Sequence, residues 1–166
     1  MRSIVKRMLK PGVSYRRYVL SAYPLAMLPS LLLAATAYGV ANALGVRTEY
    51  IGAPEREVSA VETLGMVVIA PVVETLLLAG LLWFLSLLSR NVVFVAVIAA
   101  LLWASFHASY GALWFFGTVW SFFVFSCAYF AWRRLSFARA FFAAAVPHSL
   151  INLTVMLVLW AFEGVA

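Results

Sequence analysis

Aspartate is absent from this 166-residue chain, and charged residues make up only 11% of it. A water-soluble domain carries roughly 25%, so a core wrapped in a wetted polar shell is excluded. The six acids are all glutamates; Glu49, Glu55, Glu57 and Glu62 crowd into one short stretch, leaving Glu74 and Glu163 elsewhere. Cysteine occurs once, as Cys127 in an apolar run. That excludes an internal disulfide and a cysteine zinc site, and Cys127 reads as apolar filler. No internal repeat, low-complexity segment or second domain is evident.

What fills the chain is apolar: 66% hydrophobic residues and a mean hydropathy of +1.01, against roughly 45–50% apolar in an ordinary globular domain. The runs are long. Val19 to Leu44 exceeds the roughly 7–15 apolar residues of a signal peptide and reads as a first transmembrane helix. Val61 to Leu88 gives a second. The stretch between Arg90 and Arg133 has room for two helices of about 20 residues each, broken near Ser109-Tyr110-Gly111, and Ala140 to Phe162 gives the fifth. The expected fold is therefore all-α, a multi-pass membrane protein of about five spans. Residues 1–18 form a basic amino-terminal segment, and residues 19–162 form a single transmembrane domain.

The net charge of +6 does not point to nucleic acid, because the basic residues are clustered between apolar runs rather than spread over one polar face. Short loops rich in Lys and Arg stay in the cytoplasm. Arg2, Lys6, Arg7, Lys10, Arg16 and Arg17 put the amino terminus inside, and five crossings then carry Arg90, Arg133, Arg134 and Arg139 to the same side. Only Arg47 and Arg56 fall outside, with the glutamate-rich loop from Gly45 to Ala60 and with Glu163. Integral insertion in the cell (plasma or inner) membrane is expected. The amino-terminal segment also has the makings of a basic stretch lying on lipid headgroups. Trp114-Phe115-Phe116, Trp132 and Trp160 fall near span ends, where amphipathic rings prefer to sit, although each is equally at home facing lipid. Ala35 and Gly39, four apart, permit close helix packing.

Within the spans very few side chains ionise: Glu74 in the second, His107 near the end of the third and His148 in the fifth. A carboxylate near mid-membrane costs about 2.5–3.5 kcal/mol even on the lenient insertion scale, so it needs a partner, a proton or water. Asn152 lies one turn beyond His148 on the same helix face. Each has a bland reading: a protonated acid or an asparagine as interhelical glue, a histidine pointing at water. Depth brings them together. Counted from Arg90 at about 1.5 Å per residue, Glu74 is about 24 Å back and His107 about 25 Å forward, on antiparallel neighbours. From Arg134, His148 is about 21 Å deep and Asn152 about 27 Å; a helix starting only at Arg139 would leave His148 about 7 Å too shallow. Pro71 and Pro147 each remove a backbone hydrogen bond beside these residues, a break tolerated where backbone lines a cavity.

A carboxylate in an apolar surround can act as general base toward water and then as acid toward a leaving amine, with a histidine sharing the proton. The second histidine and Asn152 can donate to a developing oxyanion. The set suffices for amide hydrolysis without a nucleophilic serine or cysteine.

These residues carry a resemblance. The run APVVETLLLAGLLW, Ala70 to Trp83, resembles the first motif of the CAAX protease and bacteriocin-processing family of intramembrane proteases, also called the Abi family. That motif usually has two glutamates, three residues and an arginine. Trp103-Ala-Ser-Phe-His107 resembles its second motif, an aromatic, three residues and histidine. His148-Ser-Leu-Ile-Asn152 matches its third, histidine, three residues and asparagine. The motifs come in the family's order on three helices, across roughly residues 61 to 160. The resemblance implies that Glu74 activates water, His107 assists it, and His148 with Asn152 stabilises the oxyanion. Two positions depart from the pattern: Thr75 stands at the second glutamate and Ala79 at the arginine.

The expected function is a glutamate-dependent intramembrane endopeptidase acting on a protein or peptide with a hydrophobic segment, at the outer half of the bilayer, with lipids as its other partners and no cofactor. Three alternatives stand beside it. In a zinc-dependent form, Glu74, His107 and His148 are the ligands and a coordination position stays open, but no second carboxylate is left as base. A non-catalytic binding or immunity protein of the same family fits the loss of two motif residues. A proton-coupled carrier would use Glu74 and the histidines as a relay, although five spans show no inverted halves.

Overall fold

The computed structural model describes residues 5, 8–11, 14–47, 51 and 59–163. Arg2, Lys6, Arg7, Glu49, Glu55, Arg56 and Glu57 lie outside the described residues, and the side chain of Glu163 likewise. Every described element is helical. Five helices are long and apolar enough to cross a membrane: α1 (Tyr15–Ala43), α2 (Ala60–Leu88), α3 (Val92–Tyr110), α4 (Trp114–Trp132) and α5 (Phe137–Glu163). The chain is an all-α, multi-pass membrane protein.

Three of the five helix starts carry side-chain caps, which satisfy backbone N–H groups that have no partner within the first turn. Ser59 Oγ accepts from the Glu62 N–H at 3.1 Å and opens α2. Asn91 Oδ1 accepts from the N–H groups of Val93 and Phe94 at 3.1 and 3.2 Å and opens α3. Ser136 Oγ accepts from the Arg139 N–H at 3.3 Å, so α5 begins at Phe137, between the two starts weighed from the charges. Helix α1 begins at Tyr15 rather than Val19 and takes in the exposed Arg16 and Arg17. Long cationic side chains can reach water from within a helix end, so they need not end it.

Helix α4 is central and packs on α1, α3 and α5. All its residues from Ser121 to Trp132 are buried. Lipid is as apolar as leucine, so helices in a bilayer are held by close packing and interhelical hydrogen bonds rather than by water exclusion. The faces around α4 are accordingly small: Ala96, Ala99, Ala100 and Ala104 on α3, Ala140, Ala143 and Ala144 on α5, and Ala22 and Ala26 on α1 are all buried. The spacing of three and four residues keeps each set on one helix face. Bulky side chains of α4, among them Phe122 and Phe125, are buried in the same core. Ala35 and Gly39, the small pair noted in the sequence, are exposed instead, and a methyl group at Gly39 would meet nothing.

Polar groups tie the same interfaces. Ser30 and Ser121 share a hydrogen bond of 2.7 Å between α1 and α4; Tyr23 and Thr154 share one of 2.7 Å between α1 and α5. Trp120 Nε1 donates to the Leu25 carbonyl at 2.8 Å. Pro29 lies within α1, and a proline has no N–H for the carbonyl four residues earlier, which is that of Leu25. The indole supplies the missing donor from the neighbouring helix.

At the basic end, the Tyr15 hydroxyl donates to the Arg139 carbonyl at 3.0 Å, and the Tyr18 hydroxyl donates to the Met8 carbonyl. Both rings pack edge-on against Trp132, with centroids 4.8 and 5.5 Å away. Trp132 is thus a buried knot residue at the end of α4. This knot brings the start of α1 and the turn carrying Arg133 and Arg134 to one end of the bundle. By alternation of the spans, the turn carrying Arg90 lies at that end too.

Candidate functional site

Helix α2 borders α3 and α5 and carries Glu74. It is not a plain α-helix: Gly65–Ile69 forms a π turn, in which the Ala70 N–H bonds the Gly65 carbonyl five residues back. In that register the next carbonyl, Met66, would look to residue 71, which is Pro71 and has no N–H. Asn152 Nδ2 of α5 donates to the Met66 carbonyl at 2.7 Å. Single π turns inside helices recur at functional sites. Here the turn, the proline and the asparagine together join α2 to α5 about two turns from Glu74 along α2.

The structure brings Glu74, His107 and His148 together from three helices. Glu74 Oε2 stands 3.7 Å from His107 Nε2 and 3.9 Å from His148 Nε2. Both histidines are buried, and the Glu74 side chain is 24% exposed. These separations are too long for direct hydrogen bonds and are of the size at which a water molecule can mediate. A third group reaches the carboxylate: Trp103 Nε1 donates to Glu74 Oε2 at 3.4 Å.

The proton arrangement follows from one contact. His107 Nδ1 lies 3.0 Å from the Trp103 carbonyl oxygen, which only accepts, so Nδ1 carries the hydrogen. A neutral His107 then turns a bare Nε2 lone pair toward Glu74. Two acceptors face each other comfortably only with a proton or a water molecule between them. A proton passing between them needs this gap to close or a water molecule to bridge it.

Aromatic rings fix both imidazoles. His107 stacks on Trp114 with centroids 6.0 Å apart and an interplanar angle of 17°, and His148 stacks on Phe125 at 5.0 Å and 21°. Phe122 wedges between them, 5.2 Å from one ring and 5.5 Å from the other. The stacked faces leave the ring edges, where the nitrogens are, turned to Glu74.

A cavity of about 280 Å³ opens from the carboxylate. Its walls include Met66, Tyr110, Trp114, Thr118 and Asn152 besides the acid and the histidines. Tyr110 and Trp114 flank the α3–α4 turn, so the cavity lies in the half of the bundle away from Arg90 and Arg133. Phe106 and Tyr110 on its wall are more than half exposed, at 58% and 54%, and the space is not sealed.

Thr75 and Ala79, where the resemblance has a glutamate and an arginine, are buried at 3% and 6% exposure. No charge stands there to pair with Glu74. Among the described residues no group of three or more His, Cys, Asp or Glu side chains is set to hold a metal ion. Ligands on a tetrahedral zinc, each about 2.0–2.1 Å from the metal, lie roughly 3.3 Å from one another. The separations from Glu74 to the two imidazoles, 3.7 and 3.9 Å, are wider.

Sequence reasoning missed the indole of Trp103 as a donor and the rings that hold the imidazoles. Counting would have found the first. Trp103 precedes His107 by one turn on the same face and lies about 20 Å from Arg90, against about 24 Å for Glu74, a difference an indole spans.

Fold and site together define a helical membrane protein with an acid and two imidazoles meeting inside the bundle. Compared with protein-family models, curated proteins and solved structures, the chain has no match.

Proposed function

We propose that the chain is a glutamate-dependent intramembrane endopeptidase of the type the three motifs resemble. The observation that carries this reading is the meeting of Glu74, His107 and His148 on the wall of an open cavity within an apolar bundle. Glu74 takes a proton from a water molecule as its oxygen adds to the peptide carbonyl carbon. The resulting oxyanion accepts hydrogen bonds from the His148 ring and from the second N–H of the Asn152 amide, each such donor contributing about 2.7–4 kcal/mol. The carbon–nitrogen bond then breaks as the proton passes, through the Glu74–His107 pair, to the leaving amine. General acid–base transfer of this kind supplies about 10²–10⁴-fold.

The positive-inside pattern supports a cytoplasmic amino terminus in the cell (plasma or inner) membrane, and with it cleavage at the outer half of the bilayer. The substrate is a protein or peptide with a hydrophobic segment, delivered from the lipid phase. The donor spacing supports the metal-free form over the zinc form. A second reading, a non-catalytic binding or immunity protein, draws on the buried Thr75 and Ala79, which put no charged side chain at the two motif positions.

The experiment compares membrane-protein amino termini in cells expressing the wild type and Glu74→Gln. The proposal expects a set of cuts in hydrophobic segments that falls by about 10²-fold or more in the variant and persists in washed membranes treated with EDTA. Identical termini in both strains would leave the binding reading. Cuts abolished by EDTA and restored by zinc would leave the metal form.

A further inference from the structure

An acid inside a bilayer needs something to hold it, and the two positions where the resemblance has charged residues, Thr75 and Ala79, are buried and uncharged. Trp103 stands in a different relation to the site. Its indole N–H reaches Glu74 Oε2 at 3.4 Å, and its backbone carbonyl accepts from His107 Nδ1 at 3.0 Å. One residue therefore touches both members of the pair, each through a different group.

Packing does not call for the nitrogen. Trp103 rests against Phe106 and Phe122, with centroids 6.3 and 5.4 Å away, and a phenyl ring would make the same kind of contact. An indole N–H in an apolar bundle is stabilised by an acceptor, and the acceptor of the Trp103 N–H is the carboxylate. The geometry is also directional. With Nδ1 engaged by the Trp103 carbonyl, Nε2 of His107 points at Glu74. With Oε2 engaged by the Trp103 indole, the carboxylate is held on the wall of the cavity.

We infer that Trp103 is the positioning residue of the Glu74–His107 pair: its indole N–H holds the carboxylate, and its carbonyl fixes the imidazole tautomer. The importance of this clamp for hydrolysis rests on the peptidase reading, while the clamp itself rests on the contacts alone. A neutral donor suits the place. It orients the acid without fixing a positive charge beside it, so the acid can still take a proton and give it up.

The test uses the full chain in lipid nanodiscs, labelled with ¹⁵N in its six tryptophans and two histidines. Trp103→Phe identifies the Trp103 indole resonance. In Glu74→Gln that indole proton moves upfield and exchanges with deuterium about tenfold faster, the loss expected when a hydrogen bond to a charged acceptor becomes one to a neutral amide. The Trp120 indole, bonded to the Leu25 carbonyl, stays unchanged. Should Glu74→Gln fail to fold, Glu74→Asp draws the carboxylate back by one methylene and is expected to weaken the same signal. The ¹⁵N shifts of His107 are expected to report a protonated Nδ1 both in the wild type and in Trp103→Phe, whose backbone carbonyl is retained. A Trp103 resonance indifferent to both Glu74 variants, or a His107 protonated at Nε2 alone, would overturn the inference. If the chain also cuts peptides, Trp103→Phe lowers the turnover of those cuts about tenfold or more with little change in KM. Unchanged turnover would refute a role for the clamp in hydrolysis. A clamp signature in a chain that cuts nothing supports the inference and counts only against the peptidase reading.

Discussion

Replacing Trp120 by phenylalanine removes one N–H from the middle of the bundle, and the structure says what that N–H does. It donates at 2.8 Å to the Leu25 carbonyl, which Pro29 leaves without its partner in α1. A carbonyl left unsatisfied away from water costs about 1–3 kcal/mol. Interhelical hydrogen bonds measured in a membrane bundle average about 0.6 and reach about 1.7 kcal/mol, so a coupling near 1 kcal/mol is expected here. The single variant also loses ring contacts, and a second change separates the two effects. Pro29→Ala restores a backbone N–H four residues from Leu25, and the helix can then satisfy its own carbonyl. Trp120→Phe should therefore cost about 1 kcal/mol less in the Pro29→Ala background than alone. The assay is reversible unfolding in mixed detergent micelles, followed by far-ultraviolet circular dichroism, across the four members of the cycle. Equal cost in both backgrounds, within the roughly 0.3–0.5 kcal/mol of independent sites, would refute the view that this tryptophan substitutes for a proline's missing donor.

Two further outcomes bear on the core. Cys127 is fully buried, so in folded protein it should resist N-ethylmaleimide, a reagent that dissolves in lipid, and should react once the bundle is unfolded in dodecyl sulfate; prompt labelling of the folded form would contradict the packing of α4. Ala99→Leu on the buried face of α3 should destabilise the bundle by about 1–3 kcal/mol through overpacking. Val97→Leu, at a position 39% exposed, should stay within about 0.5 kcal/mol, and equal unfolding midpoints for the two would contradict the alanine-lined interface.

The five spans were legible because bilayer thickness fixes helix length and the basic turns separate the apolar runs. The common level of Glu74 and His107 was legible for the same reason. The α2–α3 connection is only Ser89 to Asn91, so counting residues outward from Arg90 measures depth on both helices. His148 was harder, because its depth depends on where α5 begins. Charges at Arg134 and Arg139 bracketed that start without fixing it, and the capping hydroxyl of Ser136, a local hydrogen-bond effect, put it between them. The π turn at Gly65–Ile69 was not legible. Pro71 announces a lost donor, but whether the helix answers with a kink or an inserted residue depends on what the neighbouring helix offers, and Asn152 lies 86 positions from Met66, whose carbonyl it caps. Trp132 does close α4, as its place at a span end suggested. Its burial was not legible, because only tertiary contact with Tyr15 and Tyr18 takes the ring into the core.

The central claim is that one acid and the chain's two imidazoles, from three different spans, face one another inside the bundle. Solid-state magnetic resonance of the protein in lipid tests it directly, by ¹³C–¹⁵N dephasing between carboxyl-labelled glutamate and ring-labelled histidine, with Glu74→Gln as the control. Separations of 3.7 and 3.9 Å from Oε2 to the two Nε2 atoms require strong dephasing from both histidines that disappears in the control. Wild-type spectra in which neither imidazole senses a glutamate carboxyl would contradict the account.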